Sequence, residues 1–500
     1  MEIQVGGSSL PGFILWPLAT ISLAIAGLLL VILYNLTLHP LRGYPGPKLW
    51  AATRIPYALM VVRGDPHKTI LALHQRYDAE IIRISPNELS FQHPDSWKEI
   101  MGHRKGAGSL ENEKDPSVID ERGVDIISAN RENHSRYRRI LSHGFSAKSM
   151  QDQQPIIRSY IDLFVERLHA LAAKGKAPVD MVAWYNYTTF DIIGDLAFGE
   201  SFGCLDNSDY HPWVRVIFEN IKMICMFNLA RSFSFLAPLL KSFVPKDLVK
   251  KGMSHKALVH EKVERRMQLG TPRPDFAESM IKKGTEPLNR EEMDENAGVL
   301  IIAGSETTAT ALSGATYLLT TNPDKLAKLV AEVRGSFASE DEIDILGTAK
   351  LEYLHAVLEE SMRMYPPVPT ALPRRTPPGG QEILGRWIPG NTTMGIPQWA
   401  TYHNEKHFSR PFEFHPERWL GSDPAFAADR LDALKPFHMG PRNCLGMNLA
   451  YAEMRMMLAR VIWNFDLELA AESRDWIDQE CYILWSKPPL MVHLTPRKSG

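Results

Sequence analysis

The segment Phe437–Gly446 constrains this chain more than any other part of its sequence. It reads FHMGPRNCLG and places an aromatic residue, glycines, an arginine and a cysteine at fixed spacings. A strong helix pattern, LGMNLAYAEMRMMLARVIWNF, begins directly after Cys444 and puts the thiol at the amino end of a helix. The helix dipole and the free N–H groups at that end stabilise a thiolate. We therefore expect Cys444 to be ionised and able to bind a metal.

The residues around Cys444 suit a large planar ligand. Gly440 lets the chain turn where a Cβ would obstruct it, and Gly446 lets the backbone approach a flat ligand closely. Arg442 can pair with a carboxylate of the same ligand. A chance match to F-x-x-G-x-R-x-C-x-G has a probability on the order of one in ten thousand or lower. A buried cysteine before a helix, the plain structural alternative, leaves the other matched positions unexplained.

This segment resembles the haem-binding loop of the cytochrome P450 family. In that family the cysteine is the proximal thiolate ligand of the iron and pushes electron density onto it, which favours O–O cleavage. The resemblance implies haem b as the cofactor and Cys444 as its metal ligand. It also implies Phe437, Arg442 and Gly446 as haem-binding residues. The expected fold is mainly α with a small β-sheet portion, preceded by one transmembrane helix. Apolar and polar residues alternate in EIIRISPNELSF, Glu80–Phe91, which predicts two short strands about a Pro86-Asn87 turn, and a similar strand pattern recurs near Thr392–Tyr402.

A second motif, AGSETT, lies at Ala303–Thr308 on the longest predicted helix. The helix pattern begins near Asn289, an N-cap residue with Glu292 three positions later as in a capping box, and runs to about Leu319. Hydroxyl residues inside a helix compete for backbone carbonyls and can open a turn. The motif is similar to the oxygen-binding A-G-x-[DE]-T-[TS] of the family. The resemblance implies a catalytic pair: Thr307 donates a hydrogen bond to oxygen, and Glu306 relays protons inward from water.

Basic residues elsewhere match the family's ligands for the haem propionates. The family has a Trp and an Arg four residues apart on one helix, and here His134 and Arg138 take those positions in NHSRYRR. The imidazole still offers a ring N–H donor. Arg374 resembles a further propionate-binding arginine. A solvated basic helix is the alternative reading of the His134–Arg138 cluster.

A third motif, E-x-x-R at Glu360 and Arg363, puts a carboxylate and a guanidinium on one face of a helix. By resemblance these two side chains join Arg418 in a buried network behind the haem. A buried charge needs partners, so we expect a structural role for the network.

The amino-terminal segment predicts a membrane anchor. Phe13 to Tyr34 is almost wholly apolar and would span about 33 Å as a helix, enough to cross a bilayer. A cleaved signal peptide is the alternative, but the basic n-region is missing. Basic residues follow the segment, which places the bulk of the chain in the cytosol. We expect a short lumenal amino terminus, an anchor, a stiff non-helical Pro-rich spacer and a catalytic domain at 1–12, 13–36, 37–50 and 51–500.

Charge, cysteine spacing and motifs limit the classes of partner and cofactor that this chain can use. The net charge of −2 does not favour nucleic acid, and Cys204, Cys225 and Cys481 lack the C-x-x-C spacing of a zinc or dithiol site. No nicotinamide or flavin fingerprint is evident. By resemblance, electrons therefore come from NADPH only indirectly, through a separate NADPH–cytochrome P450 reductase with cytochrome b5 as a helper. The family location is the endoplasmic reticulum membrane, with the catalytic domain facing the cytosol.

The resemblance also implies a substrate cavity. Its mostly apolar walls indicate a lipophilic small molecule. These walls are the segments Lys105–Ile126, Cys204–Pro245, Val299–Ala303, Val368–Ala371 and Tyr482–Trp485.

SHGFS at Ser142–Ser146 and the carboxy-terminal LWSKPPLMVHLTPR resemble fungal enzymes of the isotrichodermin 15-hydroxylase type, which act in natural-product and mycotoxin pathways. We expect a monooxygenase that hydroxylates or otherwise oxidises its substrate with O₂. The alternatives are an O₂-independent haem-thiolate rearrangement of a peroxide and a non-enzymatic haem-binding sensor. The pair Glu306–Thr307 disfavours the first, and the lack of a signalling domain disfavours the second.

Overall fold

The structure is a computed structural model of the full chain. It describes all residues except 1–3, 6–7, 10–11, 105–110, 117–118, 120–121, 176, 212–221, 224, 227–228, 230–232, 234–245, 282–285 and 498–500. Most of the predicted lumenal terminus 1–12 and parts of the predicted cavity walls 105–126 and 204–245 therefore lie outside the described residues.

Helices make up most of the described chain, and the strands are short. The helices are Gly12–Thr37, Lys48–Ala52, Ile55–Arg63, Pro66–Tyr77, Arg131–Leu141, Ala147–Ala173, Met181–Phe198, Cys204–Asn207, Lys246–Gln268, Phe276–Ile281, Arg290–Thr321, Pro323–Ser336, Ile345–Thr348, Glu352–Met364, Gln398–Tyr402 and Met447–Asn464. The strands, numbered β1 to β12 in chain order, are Gln4–Val5, Ser8–Ser9, Ile81–Ser85, Glu88–Phe91, Glu113–Lys114, Val179–Asp180, Arg374–Arg375, Gln381–Ile383, Arg386–Ile388, Thr393–Gly395, Phe465–Leu469 and Met491–Pro496.

The largest sheet in the described chain joins distant segments in the order β3-β4-β10-β7-β5. β3 and β4 form the hairpin that the alternation in EIIRISPNELSF predicts, which confirms this prediction. In the antiparallel pair β5–β7, Lys114 lies opposite Arg374. Two cations are thereby placed side by side at the edge of the sheet.

The helix Arg290–Thr321, called the long helix below, crosses the body of the protein. Its start has the predicted capping box: the Glu292 N–H donates to Asn289 Oδ1 and the Asn289 N–H donates to Glu292 Oε2, both at 2.9 Å. From Thr308 to Leu319 every residue is buried, so the long helix forms the centre of the core. It packs against Met181–Phe198, in which nearly all residues are also buried.

One local expectation is wrong, and another is confirmed only in part. The Pro-rich spacer is not free of helix, because a 3₁₀ turn covers Pro40–Gly43 and a helix covers Lys48–Ala52. Pro40 lies at the start of its turn, where a missing N–H costs nothing. The stretch 392–402 is only partly strand: after β10 the residues Gln398–Tyr402 form a helix packed against Pro66–Tyr77.

The amino-terminal helix Gly12–Thr37 matches the predicted anchor closely. Within it, Ala19–Thr37 has a mean hydropathy of 2.2 and only 6% of this window is buried. At its carboxyl end Asn35 is buried, donates to Ala52 O at 2.9 Å and accepts from Arg83 Nη1 at 2.9 Å. The helix is therefore a candidate membrane anchor that is tied to the body at its base.

Candidate active site

The cysteine loop, Phe437–Gly446, folds back on itself through its backbone. The N–H of Cys444 donates to Phe437 O at 2.9 Å. Gly440 has φ +81°, and a Cβ there would lie 1.9 Å from the carbonyl oxygen of Met101. The prediction that Gly440 permits an otherwise obstructed turn is therefore confirmed.

Cys444 lies just before the helix Met447–Asn464, called the cysteine helix below. Burial raises the pKa of its thiol above the ordinary value, and the N–H of Gly446 and the charge of Arg138 offset only part of that rise. The expectation that Cys444 is ionised is therefore wrong for the chain without a metal. Cys444 is exposed, whereas Cys204, Cys225 and Cys481 are buried. It is thus accessible to a metal, which would stabilise the thiolate form.

Arg138 contacts the cysteine loop directly. Its Nη1 donates to Asn443 O at 2.7 Å, and its Nη2 donates to Asn443 Oδ1. This places a guanidinium beside Cys444, one turn of helix away from His134. The predicted contact of Arg138 with a propionate stays a prediction, and the observed contact gives it a role in holding the loop.

A cluster of cations surrounds His134, which is buried. Burial, and then the charges of four neighbours, lower the pKa of the His134 imidazole to about 3, so the ring is neutral. These neighbours, the cation cluster below, are Arg442, Lys114, Arg138 and Arg374. The structure thus brings the predicted propionate ligands together around one buried ring.

Lys114 is the member of the cation cluster that the sequence analysis missed. It stands in a loop-like stretch without a motif, and only the pairing of β5 with β7 brings it beside Arg374. Burial, and then Arg374 and Arg442, lower the pKa of Lys114 to about 7. Burial and Arg442 lower the pKa of Arg374 to about 10. The strand pairing places Lys114 beside Arg374, and the contribution of Arg442 to both shifts agrees with a third cation nearby.

Few carboxylates offset this charge. Arg442 Nε donates to Glu111 Oε1 at 2.9 Å, and its Nη1 donates to Ala129 O at 2.9 Å. Asp125 is the other carboxylate among the described residues that acts on Lys114. Glu111 and Asp125 thus lie near a group of four cations, and this positive charge suits a ligand with carboxylate groups.

His438 adds an unused ring nitrogen to the same region. Its Nε2 is buried and has no hydrogen-bond partner within the described chain. Burial, and then Arg374 and Lys114, lower the pKa of its imidazole to about 3. An orphaned nitrogen next to two cations suits a carboxylate acceptor. The thiolate, the cations and this nitrogen together fit haem with its propionates.

The long helix presents Thr307 on an accessible face. Ala303 is exposed although it lies mid-helix, and Thr307 Oγ1 donates to Ala303 O at 2.8 Å. This is the back-bonding expected for a threonine inside a helix. The hydroxyl therefore borders accessible space, as the predicted role of Thr307 requires.

Glu306 is placed differently from its neighbour. It is buried, and its Oε1 accepts a hydrogen bond from Lys487 Nζ of the carboxy-terminal segment. Burial raises the pKa of Glu306, and Lys487 opposes that rise. The relay role of Glu306 stays a prediction, but its carboxylate is bound to a lysine that the sequence analysis did not single out.

The predicted network behind the haem is present. Arg363 donates to Glu360 from Nε at 2.9 Å and from Nη2 at 2.8 Å, and Arg418 Nε lies 3.1 Å from the same carboxylate. All three side chains are fully buried. Although burial opposes ionisation, Arg363 and Arg418 lower the pKa of Glu360. The prediction of a buried structural network is confirmed.

A cavity of about 150 Å³ lies between the helices near the anchor, the largest sheet and the carboxy-terminal turn. Three of the five predicted wall segments contribute to it, through Pro369, Thr370, Ala371, Tyr482, Ile483 and Cys225. Its described lining includes neither 105–126 nor 299–303, which remain predicted walls.

The model of the cytochrome P450 family matches residues 45–494 of this chain. The chain belongs to that family. This P450 is 48% identical over 491 residues to the trichothecene C-15 hydroxylase of Fusarium sporotrichioides, which covers 97% of this chain and 99% of the relative. It is 45% identical over 501 residues to the averantin hydroxylase of Dothistroma septosporum, with 97% and 93% covered.

A third relative, the cytochrome P450 monooxygenase astJ of Aspergillus oryzae, is 43% identical over 470 residues, with 93% of this chain and 94% of the relative covered. The predicted resemblance to fungal secondary-metabolism P450s is therefore confirmed, as are the mainly α fold and the monooxygenase class. The P450 family is a haem-thiolate family, which agrees with the fit of Cys444 and the cation cluster.

Proposed function

We propose that this P450 oxidises a lipophilic small molecule of a fungal natural-product pathway, using O₂ and electrons that originate from NADPH. The observation that carries the proposal is Cys444, an accessible thiol at the start of a helix with Arg138 and the cation cluster beside it. The relatives named trichothecene C-15 hydroxylase and averantin hydroxylase support a fungal natural product as the substrate, of the terpenoid, polyketide or alkaloid classes that include mycotoxins.

The residues that would hold haem b have separate tasks. Cys444 would bind the iron, and the Gly446 N–H would hold charge on the sulfur. The propionates would be held by Arg374, Arg442, Lys114, His134 and His438. Phe437, at the start of the loop, packs against Tyr451 with 5.1 Å between the ring centroids. Haem supplies the reductive activation of O₂ and the transfer of one oxygen atom to the substrate.

Two residues of the long helix would take part in proton transfer. Thr307 carries its hydroxyl on the accessible face, where it can hold a water molecule near the substrate. Glu306 lies behind it as a carboxylate paired with Lys487, and it can take up and release a proton if that contact is exchanged for water. These tasks match those expected of a monooxygenase, since peroxide rearrangement needs no proton delivery for O₂ activation.

The electron donor and the location complete the proposal. A separate NADPH–cytochrome P450 reductase would supply the electrons, with cytochrome b5 as a second donor. Residues 13–36 would anchor the protein in the endoplasmic reticulum membrane after a short lumenal terminus, 1–12. The spacer 37–50 and the catalytic domain 51–500 would face the cytosol, as the basic residues after the anchor favour.

Reconstitution tests this proposal. The purified full chain is mixed with reductase, NADPH, O₂ and candidate lipophilic natural products, and the products are examined by mass spectrometry. We expect products that carry one added oxygen atom, or that have lost two hydrogens through desaturation or ring closure, and only when NADPH is present. Turnover of a hydroperoxide without NADPH would favour the rearrangement instead, and no turnover of either kind would favour the sensor.

A further inference from the structure

The first residue of the cysteine loop packs against a tyrosine of the cysteine helix. The ring of Phe437 contacts the ring of Tyr451 with 5.1 Å between the centroids and 47° between the planes, a favourable aromatic arrangement. The backbone carbonyl of Phe437 in turn accepts the N–H of Cys444 at 2.9 Å. A displacement of Phe437 would therefore also displace the backbone at Cys444.

Tyr451 is itself held by a second helix. Its hydroxyl donates to Oε1 of Glu359, which lies on the helix Glu352–Met364. Burial, and then Glu359, raise the pKa of Tyr451, so the hydroxyl stays protonated at neutral pH and remains a donor. A hydrogen bond to a carboxylate is stronger than one between neutral groups. The side chain of Glu359 is only 14% exposed, so water competes weakly for this contact.

Two further side chains contact the ring of Tyr451. The guanidinium carbon of Arg455 lies 4.9 Å from the ring centroid, and the ring of His355 lies 5.7 Å from it. Arg455 Nη2 lies 3.3 Å from His355 Nδ1, a contact between the cysteine helix and the helix Glu352–Met364. Burial lowers the pKa of His355, which agrees with a neutral ring that accepts from Arg455. The ring of Tyr451 is thus in contact with Phe437, Arg455 and His355, and its hydroxyl is bound as well.

The other end of the cysteine loop has a different support. Arg138 Nη1 donates to Asn443 O at 2.7 Å, directly before Cys444. The loop is therefore held at both ends, by Arg138 beside the thiol and by Tyr451 at Phe437.

We infer that Tyr451 is a positioning residue for the cysteine loop and that Glu359 holds it in place. Through Phe437 it fixes the backbone around Cys444, and with it the position of the Gly446 N–H relative to the sulfur. Such N–H contacts favour the reduced state of a metal bound to the sulfur, because that state carries one more negative charge. The inference rests on the proposed role of Cys444 as the iron ligand and adds two residues that set the electron affinity of the iron.

Two matched tyrosine variants test the inference. Tyr451→Phe removes the hydroxyl that Glu359 binds and keeps the ring. Tyr353→Phe is the control, because Tyr353 lies on the helix Glu352–Met364 and its hydroxyl donates to Glu417 Oε1 at 3.1 Å. Each variant loses one hydrogen bond from a tyrosine to a carboxylate, so the two should lose similar amounts of unfolding free energy. Only Tyr451→Phe should affect the cysteine loop.

Hydrogen exchange of the haem-free chain, followed by mass spectrometry, measures the position of the loop directly. The bond to Phe437 O protects the amide of Cys444. In Tyr451→Phe the peptide 437–446 should exchange about fivefold faster than in the unchanged chain, and in Tyr353→Phe it should exchange at the unchanged rate. Tyr451→Leu also removes the ring and should raise the rate at least about tenfold. If this last variant does not fold, Tyr451→Phe decides alone. Equal rates in Tyr451→Phe and Tyr353→Phe would overturn the inference.

Reduction of the haem-loaded proteins measures the effect on the iron. The equilibrium constant for reduction is determined against a mediator dye of known potential. It should fall about threefold in Tyr451→Phe and stay unchanged in Tyr353→Phe, a difference that a loss of stability alone does not produce. In a chain with thiolate ligation, an unchanged constant in Tyr451→Phe would also overturn the inference.

The unchanged chain separates this inference from the proposed function. Thiolate ligation and NADPH-dependent turnover are recorded for it alongside the variants. Normal ligation and turnover, with Tyr451→Phe indistinguishable from Tyr353→Phe, would overturn the positioning role alone. A chain without thiolate ligation would overturn the proposed function, and the exchange rates alone would then support or overturn the role of Tyr451.

Discussion

Lys487 donates a hydrogen bond to the carboxylate of Glu306, and both side chains are almost completely buried. The lysine belongs to the segment between Trp485 and β12, while the glutamate belongs to the long helix beside Thr307. Lys487 Nζ also donates to Thr310 Oγ1 at 2.7 Å, one turn further along the same helix. The carboxy-terminal segment is thus fastened to the helix that carries the oxygen motif.

Removal of Lys487 should destabilise the protein. In Lys487→Met the Glu306 carboxylate keeps its burial but loses its charged partner, so about 3–5 kcal/mol of unfolding free energy should be lost. Lys328→Met is the control, because that ion pair is half exposed and worth at most about 1 kcal/mol. Denaturant unfolding followed by circular dichroism gives the values. Glu306→Gln combined with Lys487→Met should recover part of the loss, and equal stability of the two lysine variants would contradict the account.

Thr307→Ala should separate NADPH use from product formation. The hydroxyl lies on the accessible face and contributes little to packing, so stability should change by less than about 1 kcal/mol. The product formed per NADPH consumed should fall by at least about tenfold, because a proton-handling group has been removed. Thr307→Ser keeps the hydroxyl and should retain most of the yield. An unchanged ratio in the alanine variant would remove Thr307 from the mechanism.

Lys114 should make haem binding depend on pH. Its pKa of about 7 lies below the ordinary 10.5, so between these values the folded haem-free chain binds fewer protons than the unfolded chain. The stability of the haem-free chain should therefore rise with pH across this window. Propionates beside Lys114 would restore its proton, so haem binding should take up a proton and weaken as pH rises above about 7.

Haem titrations of the haem-free chain between about pH 7 and pH 9 check this sign. Lys114→Met should bind haem more weakly near pH 7 and show a smaller dependence on pH than the unchanged chain. An identical slope in the two proteins would show that Lys114 does not contact the propionates.

The network around Glu360 should be sensitive to the loss of this carboxylate. Glu360→Gln leaves Arg363 buried without its charged partner and leaves Arg418 with Asp429 alone, so about 3–5 kcal/mol of unfolding free energy should be lost. Glu413→Gln nearby is the control, because its pair with His415 is exposed on the glutamate side and should contribute little to stability. Denaturant unfolding gives the loss of unfolding free energy for each variant, and similar losses in both would contradict a structural role for the network.

The features that could be predicted from the sequence are determined by residues close together in the chain. The capping box at Asn289 and the E-x-x-R spacing of Glu360 each depend on residues within a few positions of one another, and the turn at Gly440 is indicated by the glycine itself. Local rules of helix capping and backbone geometry therefore suffice for them. The amino-terminal helix was predictable for the same reason, since length and hydropathy alone define it.

The parts that it missed depend on contacts between distant segments. Lys114 gains its place through strand pairing with Arg374, and Lys487 meets Glu306 across 181 positions of sequence. The contact of Tyr451 with Glu359 joins residues 92 positions apart. Sequence pattern and residue spacing contain no information about contacts between segments that are distant in the chain.

The central claim is that Cys444 binds the haem iron as a thiolate, and the carbon monoxide difference spectrum of the reduced protein tests it most directly. The haem-loaded chain should show the long-wavelength Soret band of thiolate ligation, and Cys444→Ala should lose that band together with NADPH-dependent turnover. A fully loaded chain without the band, or a Cys444→Ala variant that keeps both the band and turnover, would contradict the account.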